Sequence, residues 1–185
     1  FFAKSFSFVA LAKKAESKDD LLEFYFFGIT IAEKIAEQVG KIGEKIDITD
    51  YALISGETVV AYNHSNGKVG VLVAMNKKGE AIVAAGKDVT MQIAAMSPIG
   101  IDKDDVPEEV KTREMEIGRE QARAEGKPEA ILDKIATGKL EAYFKDATLL
   151  NQKFVKDNSK SIRDVLASVE KDLTVSAFKR IGLGA

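Results

Sequence analysis

The stretch VGVLVAM (69–75) is apolar at both alternating sets of positions. Successive strand residues point to opposite faces, so such a run needs cover on both sides. It is therefore predicted as a central strand with helices or further chain packed over it. Asn66-Gly67 just before it is a strong hairpin signal, because both residues tolerate positive φ. ETVVAYNHS (57–65) is the expected partner strand, and YALISG (51–56) reads as a third. An antiparallel meander is expected, with His64 at its tip in a surface or turn role.

Helical periodicity surrounds this sheet. Thr30 and Glu33 have the spacing of a capping box, in which the threonine oxygen accepts a backbone N–H and the glutamate reaches back to another. Ile31, Ile35, Val39, Ile42 and Ile46 then recur every three or four residues, as one apolar stripe. Residues 80–96 predict a second helix with Ile82, Val89, Ile93 and Met96 in line, stopped by Ser97-Pro98. Residues 6–16 predict a helix, and the aromatic run Phe24 to Phe27 a short buried strand or turn. An exposed sticky patch is the sharper reading of that run.

From Pro107 the character changes. Between residues 108 and 125 the sizeable apolar residues are Val110, Met115 and Ile117. Such a helix is too polar to lie across a core. Gly126-Lys127-Pro128 breaks it, and a second helix follows with Ile131, Leu132 and Ile135. The pair reads as a helical hairpin that packs mainly on itself and projects as an arm. Core character returns in a helix over 139–150, an apolar pair at Phe154-Val155, a helix over 161–173 and a half-buried strand over 174–183. PIGI (98–101) is a short strand candidate. The fold class is thus α+β: antiparallel sheets with packed helices in a two-part core body, interrupted by a coiled-coil hairpin. The expected parts are residues 1–85, residues 86–105 with 146–185, and the arm, 106–145.

Several chemistries are excluded. With no cysteine and one histidine, thiolate and multi-histidine metal sites and a cysteine nucleophile are ruled out. No Gly-x-Ser-x-Gly elbow supplies a serine nucleophile for His64. Gly86-Lys87 is not a phosphate loop, since Gly79 lies too far upstream and Asp88 stands where a hydroxyl is needed. A net charge of -2 argues against a nucleic-acid binder. No apolar run is long enough to span a membrane. Carboxylates are plentiful, but no spaced pair demands a hydrolytic pocket. A partner-binding protein is expected rather than an enzyme, with no catalytic residue and no metal.

The stretches GKDVTMQIAAMSP, DDVPEEV, REMEIGREQARAEGKPEAILDKIATGKL and TLLNQKFVKD occur in that order, together with GEKIDI and VGVLV. Taken together they closely resemble bacterial elongation factor Ts, over nearly the whole chain. That family carries the motif Thr-Asp-Phe-Val-Ala-Lys-Asn. Phe1, Phe2, Ala3, Lys4 and Ser5 align with its last five residues. The motif aspartate and the family's N-terminal helical module have no counterpart in these residues.

The resemblance implies a guanine-nucleotide exchange factor for elongation factor Tu that performs no chemistry itself. It implies no cofactor, since the factor acts on GDP and Mg²⁺ held by its partner. Phe1 would be a wedge entering the GTPase domain near Mg²⁺, flanked by Phe2, Ala3 and Lys4. Val69 and Gly70 would press on the phosphate-loop side of the GTPase. Gln92, where relatives often carry histidine, and Val155 with Lys156 would meet elsewhere on elongation factor Tu, the latter two at its far β-barrel domain. The arm is tied to self-association in some members, so a homodimer through it is a further expectation. The expected setting is a bacterial cytoplasm or an organelle matrix, with no direct nucleic-acid or membrane contact. The alternative is a binding or structural subunit that holds elongation factor Tu in a larger complex without useful exchange.

Overall fold

The computed structural model describes residues 16–64 and 67–182. The chain divides into two compact units, residues up to Leu53 and residues from Ile54 onward.

The first unit holds helix α1 (Lys18–Glu23), a minimal hairpin of β1 (Tyr25–Phe26) and β2 (Ile29–Thr30), and helix α2 (Ile31–Ile42). Ser17 caps α1 by accepting the Asp20 N–H. The predicted capping box is present: Glu33 N–H donates to Thr30 Oγ1 at 3.1 Å, and Thr30 N–H donates to Glu33 Oε2 at 2.7 Å. Gly43 ends α2 in the left-handed region with φ 75°, a conformation glycine adopts without steric cost. Leu21 and Ile31 form a small core with Phe24, Ile35, Ile48 and Tyr51 around it. The aromatic run forms the expected short strand and turn, but it is buried only in part: Phe24 packs on that core and the tip does not. Tyr25 is 69% and Phe27 is 93% exposed, because Phe27 (φ 52°) and Gly28 (φ 87°) form the reversal itself. Two positive φ values at the centre of a two-residue loop make the primed kind of turn that suits a hairpin. The helix expected over residues 6–16 falls on residues outside those described.

The second unit is built on a three-stranded antiparallel sheet in the order β3 (Thr58–Asn63), β4 (Val69–Met75), β7 (Val175–Gly182). β4 is central, as its two apolar faces require. Val71, Val73 and Met75 on one face are essentially inaccessible, and so is Ala74 on the other. The third strand is not the expected YALISG, which has no strand pairing. β7 pairs with β4 from Val175 to Gly182 and takes the place a local meander would have used. The segment 51–56 carries Ala52, Ser55 and Gly56 at half its positions, and such small residues offer little side chain to pack on a pleated surface.

Helix α3 (Glu80–Met96) covers the sheet with Ile82, Val89 and Ile93. Met96, expected in the same line, is 46% exposed. Gly86 lies inside α3, where an added Cβ would stand 2.7 Å from Val60 Cγ2. That glycine is a packing device between helix and strand. Beyond α3, the PIGI segment makes only an isolated bridge, Gly100 to Thr148.

The arm consists of α4 (Glu108–Ala124) and α5 (Glu129–Ala147). The two helices cross closely at Gly118, where an added Cβ would lie 3.0 Å from Ala136 Cα. Ala122, Leu132 and Ala136 fill the seam. Arg119 to Asp133 at 2.7 Å and Arg123 to Glu129 at 2.8 Å tie the helices across the outside. The core then closes with hairpin β5 (Lys153–Phe154) and β6 (Asp157–Ser161) and helix α6 (Ile162–Val169). Ile162 and Leu166 are buried against α3 and β4 residues.

Candidate functional site

The hairpin β5–β6 pairs Phe154 with Asp157, so Val155 and Lys156 are its two-residue turn. Phe154 is buried and anchors the strand in the core. Val155 is 43% exposed, an aliphatic side chain offered outward. Lys156 Nζ meets Asp88 on α3 at 2.7 Å.

Gln92 lies one turn further along α3 from Asp88, on the same helix face. Its side chain is wholly buried. Nε2 donates to Gln152 Oε1 at 3.1 Å and to the Lys153 carbonyl at 3.0 Å, and Oε1 accepts the Val155 N–H at 2.9 Å. Gln152, also buried, donates to the Asp146 carbonyl at 2.7 Å. Polar groups in such a place must be satisfied, and the two amides satisfy one another and the hairpin backbone. Gln92 thus sits under the turn rather than on the surface. The structure brings Gln92, Val155 and Lys156 together, with α3 as the common support.

Val69 and Gly70 open β4. Val69 stands opposite Gly182 and Gly70 between Asn63 and Ile181. Val69 packs on the core from its rim. The Val69 carbonyl accepts the His64 N–H at 2.8 Å, and His64 Nδ1 lies 3.0 Å from the Tyr62 hydroxyl. An added Cβ at Gly70 would meet only Asn63 Oδ1, at 3.4 Å. That is an ordinary contact distance, so the molecule's own packing does not demand a glycine there. Phe1, Phe2, Ala3 and Lys4 lie outside the described residues.

Sequence reasoning passes over two side chains, one paired with the turn itself and one that holds the neighbouring segment through Asn151. In the sequence Asp88 reads only as the wrong residue for a phosphate loop. Its i, i+4 relation to Gln92 was the signal that both face one neighbour. Asp102 is the other. It caps the turn at Lys103–Asp105 and accepts from Asn151 Nδ2 at 2.7 Å and from Arg163. Partial burial pushes the Asp102 carboxyl up, but the Arg163, Asn151 and Lys103 N–H donors outweigh it and hold the group below the usual aspartate range. Among the described residues there is no group of three His, Asp or Glu poised to hold a metal ion. Nor, among them, is any helix long and apolar enough to cross a membrane.

A family model described as Elongation factor TS matches residues 1–185. Curated relatives named Elongation factor Ts include one from Cytophaga hutchinsonii, 57% identical over 95% of this chain and 64% of its own length. Another from Amoebophilus asiaticus is 48% identical over 96% of this chain and 64% of its own. A third, from Flavobacterium psychrophilum, is 42% identical over 94% of this chain and 64% of its own. The chain therefore spans slightly less than two thirds of the length of these relatives.

Proposed function

This chain belongs to the elongation factor Ts family, and on that premise we propose that it promotes release of GDP from elongation factor Tu in a bacterial cytoplasm, without chemistry of its own. The observation that carries the reading is the Val155-Lys156 turn, exposed at its tip and fixed from beneath by a buried glutamine. A contact surface held in place before binding loses little freedom on association.

The mechanism is one of linkage. Tight GDP binding by a GTPase rests on Mg²⁺ and on backbone N–H groups around the phosphates. A protein that binds the nucleotide-free form better than the GDP form lowers GDP affinity by the same factor. About 1.4 kcal/mol of differential contact is worth tenfold. In this reading Val155 and Lys156 hold one part of the partner while Val69 and Gly70 press near its phosphate loop. Gln92 acts through the turn it supports. Phe1, with Phe2, Ala3 and Lys4 beside it, is the wedge that displaces the groups holding Mg²⁺. That role rests on the likeness of the opening residues to the family motif.

The test is release of fluorescent GDP from elongation factor Tu at fixed Mg²⁺, with and without this chain. Acceleration that falls at least about tenfold in Phe1→Ala supports exchange through the wedge. Complex formation without acceleration would replace exchange with a holding role. Neither binding nor acceleration would overturn the reading.

A further inference from the structure

Arg180 stands on the apolar face of its strand. In the β4–β7 register it lies opposite Val71, and Phe178 lies opposite Val73. Directly opposed residues of an antiparallel pair share a face, and Val71 and Val73 are buried on the core side. Among the described residues no hydrogen bond or ion pair engages the Arg180 guanidinium, and its Nε is buried without an acceptor. Charges in such positions are ordinarily paired, because an unpaired buried donor is destabilising.

Beside it runs an open groove of about 490 Å³, walled by Phe178, Lys179 and Arg180 on one side and by the segment 97–101 on the other. Consecutive strand residues face opposite ways. All three can line one groove only if it runs along the strand's edge. That edge is free: β7 pairs with β4 on one side and, among the described residues, with no strand on the other. The opposite wall is fixed, since Ile99 N–H donates to the Ala147 carbonyl at 2.9 Å and Leu149 N–H to the Gly100 carbonyl at 3.0 Å. Ile99 itself is 48% exposed toward solvent. Asp105 also lines the groove, but its carboxylate accepts the Ile101 and Asp102 N–H groups at 3.1 and 2.9 Å.

We propose that this groove receives an extended, acidic segment of a partner protein, added as a further strand on β7 with a carboxylate on Arg180. Main-chain pairing supplies affinity in such strand addition, and side-chain recognition supplies choice. Charge complementarity selects the occupant. Two copies of this chain paired edge to edge would set Lys179 and Arg180 against their own counterparts, which like-charge repulsion opposes. The proposal does not rest on the exchange function.

The test uses the full chain and a fluorescein-labelled, capped nine-residue peptide alternating valine with glutamate. Controls are the same peptide with glutamine for glutamate, and one N-methylated at every residue so that neither backbone edge can pair. Saturable binding is expected for the glutamate peptide, weaker by about tenfold for the glutamine peptide and absent for the N-methylated one. Arg180→Gln should abolish the preference for glutamate. Amide chemical shifts should move in 97–101 and 178–182. The comparison of the three peptides on the unaltered protein stands even if Arg180→Gln folds poorly. No saturable binding, equal binding of acid and amide peptides, or shifts elsewhere on the molecule would each overturn the proposal. So would a concentration-dependent dimer that occupies the same edge.

Discussion

Gln92 accepts the Val155 backbone N–H at 2.9 Å from a side chain with no solvent exposure, and by its other end holds Lys153 and Gln152. Leucine in its place roughly keeps the volume but takes a partner from three polar groups, the buried Gln152 amide and the half-buried Lys153 carbonyl and Val155 N–H. Unmade buried hydrogen bonds cost about 1–3 kcal/mol each, and partial relaxation reduces the sum. Gln92→Leu is expected to destabilise the fold by about 3 kcal/mol, measured by urea denaturation. A loss below about 1 kcal/mol would mean that the hairpin finds other support.

The local signals in the sequence were sufficient wherever the chain folds on its neighbours. Thr30 and Glu33 announced their capping box, and the stripe Ile82, Val89, Ile93 announced α3. The two faces of VGVLVAM announced a central strand. The third strand was not legible, because Val175–Gly182 reaches β4 from a hundred residues away and a local alternative, YALISG, looked as good. Phe27 misled because aromatic residues are usually inside, whereas here backbone reversal places one at a tip. At the candidate site, Val155 and Lys156 were marked by family likeness. Their support from Gln92 and Asp88 becomes visible only when α3 is laid beside the hairpin.

Gly118 is the point where α4 and α5 come closest, with Ala136 Cα 3.0 Å from a would-be Cβ. That neighbour is backbone and cannot swing aside. Gly118→Val is expected to force the helices apart and weaken the arm by about 2 kcal/mol. Hydrogen exchange reads this locally. Amides in 108–147 should exchange faster while those of β4 and β7 stay protected. Unchanged protection in the arm would show that the crossing is not close in solution.

Asp102 ties the turn before the arm to Arg163 and Asn151. Its carboxyl is held below the ordinary value in the folded chain. The sign follows directly. The charged form is favoured by folding, so its contribution is present above the unfolded pKa of about 4 and is lost as pH falls through the lower folded value. Asp102→Asn should therefore lower stability at pH 7 and flatten the acid limb of the stability curve below about pH 4. Glu37, held at about 2 by hydrogen bonds from Lys34 and Lys41, shares that limb. The difference between variant and parent isolates Asp102. Parallel acid limbs in thermal melts from pH 7 to pH 2 would remove it from the acid response.

Gly70 separates fold from function more sharply than any other residue of the candidate site. Its nearest obstacle to a side chain is Asn63 Oδ1 at 3.4 Å, ordinary van der Waals distance. It pairs on both sides, with Asn63 and Ile181, and glycine is a poor strand residue because it loses more backbone freedom than any other. Gly70→Ala should accordingly hold or raise stability, by up to about 1 kcal/mol. If the strand end presses on the partner's phosphate loop, the added methyl group keeps the two backbones apart. GDP release should then slow by about tenfold while urea denaturation shows no loss. Undiminished exchange in a stably folded Gly70→Ala would remove this end of β4 from the contact and leave the Val155-Lys156 turn to carry it.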